Sequence, residues 1–72
     1  MKINKIIGEN GILPQLCNNS ACPAAVIADD GNVFIQGYVP EAAEQKELTA
    51  PKGESFVKMP LATLKKIANQ IH

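Results

Sequence analysis

Cys22-Pro-Ala-Ala-Val-Ile-Ala-Asp-Asp-Gly-Asn-Val-Phe-Ile-Gln-Gly-Tyr-Val39 is the stretch on which the fold turns. Two apolar runs, Ala24–Ala28 and Val33–Val39, flank Asp29-Asp30-Gly31-Asn32. Asp-Gly readily takes the positive φ angles of a tight turn, so the stretch predicts a β-hairpin. A two-residue turn at Asp30-Gly31 sets Ala28 opposite Val33, Ile27 opposite Phe34, Val26 opposite Ile35 and Ala25 opposite Gln36. One face then carries Val26, Ala28, Val33, Ile35 and Val39, and the other Ile27, Phe34, Gln36 and Tyr38. Both faces are apolar enough to need cover, which places the hairpin at the centre of a sheet with a helix on at least one side. A lone hairpin would be marginal in water.

Working outward, the C-terminal segment carries the clearest helical signal. Leu61, Leu64, Ile67, Ala68 and Ile71 recur at helical spacing behind Pro60, with Lys65, Lys66, Asn69 and Gln70 on the other side. This predicts a helix over about 61–71 whose Leu61, Leu64, Ile67 and Ile71 cover the sheet. Ser55–Met59 reads as a further short strand of that sheet. Between hairpin and strand, Pro40–Gly53 is polar, with a short helix over Glu41–Lys46 or a solvated loop as its alternatives. At the N-terminus, Lys2–Ile7 reads as an edge strand. Residues 8–23 carry loop chemistry anchored by Ile12, Leu13 and Leu16, with a turn of helix around Leu13–Cys17.

Size and charge bound the function. A chain of 72 residues is expected to form one small domain over 1–72, near the lower limit for a single apolar core. Seven basic residues balance seven acidic ones, and every basic residue is a lysine. Phosphate-backbone partners call for a positive excess and guanine readers favour arginine, so direct nucleic-acid binding is disfavoured. Lys2, Lys5, Lys65 and Lys66 are the residues it would use. No run has the length of a transmembrane span, and Met1–Gly8 lacks the apolar stretch of a signal peptide. The expectation is a cytoplasmic protein with no membrane association.

Candidate chemistry is sparse. Cys17 and Cys22 stand at a spacing seen in zinc half-sites, but a closed site needs four ligands and the sole histidine is His72. Two separate thiols, at least one packing as a small hydrophobe, are the favoured reading; a metal or redox role is the alternative. With no imidazole other than a chain-end one, a cysteine hydrolase is not supported. Asp29 and Asp30 sit where a turn wants them, and Gly8-Glu-Asn-Gly11 lacks the lysine and further glycine of a phosphate loop. Phe34, Gln36 and Tyr38 are the candidate interaction surface. Gly37 among them marks a bulge or the close approach of another backbone, and a bulge next to a packed helix is preferred over a ligand contact.

Cys22-Pro23, the Asp30-Gly31 turn, Val33, Ile35-Gln36-Gly37-Tyr38 and Phe56-Val-Lys-Met-Pro60 together resemble a pattern found in small uncharacterised bacterial proteins. There a Cys-Pro precedes a strand, an Asp-x-Gly or Asp-Gly turn follows and the second strand ends in Val-Gln-Gly. The resemblance implies an accessory to a regulatory or signalling system and supplies no catalytic residues.

The sequence thus predicts an α+β fold, a mainly antiparallel sheet built on the 24–39 hairpin with a C-terminal helix on one face. The expected function is a non-enzymatic protein-interaction module without a cofactor, its partner another protein or a second copy of itself. A thiol-dependent or zinc-binding domain using Cys17 and Cys22 is the first alternative, and a weak nucleic-acid binder the second.

Overall fold

The computed structural model describes residues 1–16 and 23–71. Its elements run β1 (Ile3–Gly8), β2 (Gly11–Leu13), β3 (Ala24–Ala28), β4 (Val33–Gln36), α1 (Ala42–Glu47) and α2 (Leu61–Ala68). The four strands form one antiparallel sheet in the order β2-β1-β3-β4, so the fold is α+β with a C-terminal helix. β1 is an interior strand of that sheet, flanked by β2 and β3, where an edge strand was expected. The reason is local: Gly8 and Gly11 face each other across the Glu9-Asn10 turn and return the chain as β2. A Cβ at Gly8 would stand 3.1 Å from the Leu13 side chain, which would have to give by a few tenths of an ångström to admit it. β2 takes up residues 11–13 and residues 14–16 are not helical, while Cys17, the far end of the expected helical turn, lies outside the described residues.

The β3–β4 hairpin forms, in a register one residue away from a two-residue turn. Ile27 pairs with Val33, Val26 with Phe34, Ala25 with Ile35 and Ala24 with Gln36. The loop is Asp29-Asp30-Gly31, closed by the Ala28 amide donating to Asn32 O at 3.0 Å. Gly31 sits at φ +89°, and the Asn32 amide donates to Asp30 Oδ1 at 3.1 Å. A three-residue loop ending on a left-handed glycine is a standard hairpin closure. Asp29 also fastens β1: its Oδ1 accepts from the Lys2 amide at 2.9 Å, and its own amide donates to Lys2 O at 2.9 Å. Turning at three residues engages both aspartates, and the price is a change of face. A slip of one residue moves every β4 side chain across the sheet. Phe34 and Gln36 therefore share a face with Val26 and Ala24, while Val33 and Ile35 share the other with Ile27 and Ala25.

Each face of the sheet carries a small cluster. Ile6, Ala24 and Val26 form one, with Leu13 packed against it. Ile7, Ala25 and Ile67 form the other, with Ile27 and Met59 against it, so α2 covers that second face. Alanine at three of the five β3 positions keeps both clusters thin.

α2 does not present the face that its apolar periodicity favours. Ile67 is buried at 2 % exposure, but Leu61 is 67 % exposed, Leu64 45 % and Ile71 42 %. The buried partner of Ile67 is Thr63 instead. Polar anchoring explains the rotation. The Thr63 hydroxyl donates to Glu9 Oε1 at 3.1 Å, and Gln70 Nε2 donates to Gly8 O at 2.8 Å. Lys66 Nζ lies 3.6 Å from the same Glu9 carboxylate. These contacts turn the helix about a quarter turn from the apolar stripe. The helix proper ends at Ala68, and i→i+3 bonds from Gln70 to Ile67 O and from Ile71 to Ala68 O tighten the exit.

Residues 55–59 do not build a strand of the sheet. Only Lys58 bridges, exchanging both backbone bonds with Tyr38 at 2.8 Å. The contact is close because residue 37 is glycine: a Cβ there would stand 2.9 Å from Lys58 O. α1 forms with Glu41 as its N-cap, its span Ala42–Glu47 lying one residue later than the expected Glu41–Lys46. The Glu41 amide donates to Glu44 Oε1 at 2.9 Å, and Gln45 Nε2 donates to Pro40 O at 2.7 Å.

Candidate functional site

β4 is the last strand of the sheet, and its three hydrophobic residues stand half in solvent. Val33 is 48 % exposed, Phe34 49 % and Ile35 46 %. Folding ordinarily hides such a run. Here Ile27, Val26 and Ala25 of β3 stand opposite Val33, Phe34 and Ile35, α2 packs over Ile7 and Ala25, and no described strand flanks β4 on its outer side.

The hydrogen-bond pattern shows which backbone groups that edge offers. In an antiparallel ladder, residues alternate between pointing both polar groups at the partner and pointing them away. The Ala28–Asn32 bond sets the phase: Asn32, Phe34 and Gln36 turn toward β3. Asp29 donating to Lys2 O confirms that the odd-numbered β3 residues turn instead to β1. Val33 and Ile35 therefore direct N–H and C=O outward, at the rim of the sheet. Edge strands are commonly guarded by lysine, proline or a bulge. Val33-Phe-Ile-Gln36 carries none of these.

Of the predicted interaction residues, Phe34 and Gln36 lie on one face of β4, Phe34 half-exposed and Gln36 partly buried. Tyr38 is set apart from them: the strand ends at Gln36, and Tyr38 is engaged through its backbone with Lys58 while its side chain stays exposed. Sequence reasoning missed Val33 and Ile35, because it expected both faces of the hairpin to be covered and singled out the aromatic residues and Gln36 instead.

A second concavity lies between α1 and residues 56–59. This groove, about 560 Å³, is walled by Ala43, Leu48, Phe56, Val57 and Met59. Glu44 and Lys58 pair at 3.0 Å along it. The Glu41 amide and then Lys58 hold the Glu44 carboxyl below its ordinary pKa, and Glu44 in turn holds the Lys58 amine above its own. Both charges are stabilised by each other and exposed, an arrangement suited to fastening the segment rather than to proton transfer.

Cys17, Cys22 and His72 lie outside the described residues. Among the described residues no group of three or more His, Cys, Asp or Glu is placed to hold a metal ion. Lys66, one of the four lysines a nucleic-acid reading would use, faces Glu9. No helix among the described residues is long and apolar enough to cross a membrane. Comparison with family models, curated proteins and solved structures yields no match, so the functional reading rests on this geometry.

Proposed function

We propose that this chain is a non-enzymatic protein-interaction module that works through the exposed edge of β4. The observation that carries the reading is the run Val33, Phe34 and Ile35, each about half exposed on a strand whose outer backbone groups have no described strand beside them. Main-chain bonding at an open edge supplies affinity, and side chains alternating above and below it supply selectivity. The resemblance of the Cys22–Tyr38 pattern to small bacterial proteins adds the role of a regulatory accessory to this reading.

Cross-linking of the tagged full chain in nuclease-treated lysate, read by mass spectrometry, tests it. A protein, either a second copy or another chain, is expected in stoichiometric cross-links around residues 33–36. Loss of those cross-links in an Ile35→Lys variant supports the assignment. A chain that is monomeric and gains no protein cross-link at this edge refutes it.

A further inference from the structure

We infer that Asn10-Gly11, at the tip of the β1–β2 turn, is a site of spontaneous deamidation, and that docking of α2 holds the reaction in check. The turn lies at the opposite edge of the sheet from β4, so this chemistry does not depend on the proposed partner.

The reaction needs only these two residues and water. The Gly11 nitrogen, losing its proton, attacks Asn10 Cγ. A new N–C bond closes a cyclic imide, and the side-chain nitrogen leaves as ammonia. Water then opens the imide at either carbonyl, giving aspartate or isoaspartate. A water is consumed for each ammonia released, and nothing is oxidised or reduced. Glycine favours the closure, because it has no side chain to crowd the attacking nitrogen. Gly11 sits at φ +136°, and a Cβ there would meet nothing within 4 Å, so water reaches the reacting bond. Asn10 is exposed, and its side chain makes no hydrogen bond among the described residues.

What restrains the reaction is the grip of α2 on the two residues before Asn10. Ile7 pairs with Ala25 and turns to β3, so Gly8 turns to β2 and its carbonyl accepts the Gly11 N–H. Ring closure must break that bond, because the same nitrogen is the nucleophile. Gln70 Nε2 donates to this Gly8 carbonyl at 2.8 Å and lies 3.4 Å from Glu9 O. Thr63 and Lys66 hold the Glu9 carboxylate at 3.1 and 3.6 Å. Side chains from one face of the helix thus fix residues 8 and 9 and keep the turn shut. Deamidation runs from the opened turn, at a rate set by how often α2 releases it.

Asp30-Gly31 supplies an internal standard. It closes the same imide from a carboxyl group, with loss of water. Its Oδ1 accepts from the Asn32 amide at 3.1 Å, a bond in which α2 takes no part.

The test is incubation of the full chain at mildly alkaline pH, with ammonia release measured and each product located by tandem mass spectrometry. Asn10 is expected to convert to mixed aspartate and isoaspartate, more slowly than in a free peptide spanning residues 6–13. Thr63→Val and Gln70→Ala should each speed the conversion by about fivefold, the change in opening that loss of one such bond brings. Isomerisation at Asp30 should keep its wild-type rate in both variants, which separates release of the turn from unfolding of the whole chain. Asn10→Gln, whose longer side chain closes an imide far more slowly, should remove the ammonia released from this position.

An Asn10 still intact when the free peptide has been converted overturns the site. An Asn10 that reacts as fast as the peptide, or at one rate in the wild type and both variants, overturns the control by α2. Equal acceleration at Asn10 and Asp30 overturns that control as well, since it reports global unfolding.

Discussion

Thr63 on α2 and Glu9 in the β1–β2 turn, 54 positions apart, are joined by a hydroxyl-to-carboxylate hydrogen bond of 3.1 Å. The bond explains why a threonine is buried where a leucine would be expected. It also sets the roll of α2 on the sheet, with Gln70 on β1 carbonyls as its second anchor. Thr63→Val keeps the shape and removes the donor. Glu9 is partly solvated, so water replaces much of what it loses, and the expected cost is about 1 kcal/mol. Urea denaturation of Thr63→Val, Glu9→Gln and the double variant checks this. The double variant should cost less than the two singles summed, because both remove the same bond. Strict additivity would show that the contact does not anchor the helix.

The same roll makes two neighbouring large apolar residues of α2 energetically unequal. Ile67 is packed between Ile7 and Ala25, so Ile67→Ala should cost about 2–5 kcal/mol. That is a large share of the roughly 4–11 kcal/mol a chain of this length has in total. Leu64 stands 45 % exposed, and Leu64→Ala should change stability by less than about 1 kcal/mol. Thermal melts of the two variants decide it. Equal losses would mean that the helix lies on its Leu61–Leu64–Ile71 stripe after all.

These two residues also show how much of the fold was legible in the sequence. Periodicity located α2 to within a few residues, because a 3.6-residue repeat of Leu and Ile is a property of the helix alone. Its roll was not legible, since that depends on polar contacts to a turn at the far end of the chain. The hairpin was legible from Asp-Gly between apolar runs. Its register was not, because one residue more in the loop exchanges the two faces while leaving the apolar pattern intact. Val33 and Ile35 were passed over because both faces were expected to be covered, whereas Phe34 was visible as an aromatic residue on either register. β2 escaped notice because three residues, Gly11-Ile-Leu13, ahead of a proline carry no periodicity. At Gly37 an isolated glycine in an apolar strand marked the close approach of another backbone, that of Lys58, rather than the bulge beside a helix that was preferred.

Glu44 and Lys58 carry the last prediction, which concerns pH. The Glu41 amide and Lys58 lower the Glu44 carboxyl, so its contribution is present above the ordinary glutamate range and is lost as pH falls through the lowered value. Lys58 is raised, so its contribution is present below the ordinary lysine range and is lost as pH rises through the raised value. The α1-to-Lys58 clasp is therefore complete across neutral pH and opens at both extremes. Because the Glu41 amide is the larger cause at Glu44, Lys58→Met should move the Glu44 midpoint upward only part of the way to the ordinary value. High salt should act in the same direction on the wild type, since the pair is exposed and screened. Carbon-detected NMR titration of the Glu44 carboxyl checks both. A midpoint that returns fully to the ordinary value in Lys58→Met would assign the shift to the ion pair and remove the helix-capping bond from the account.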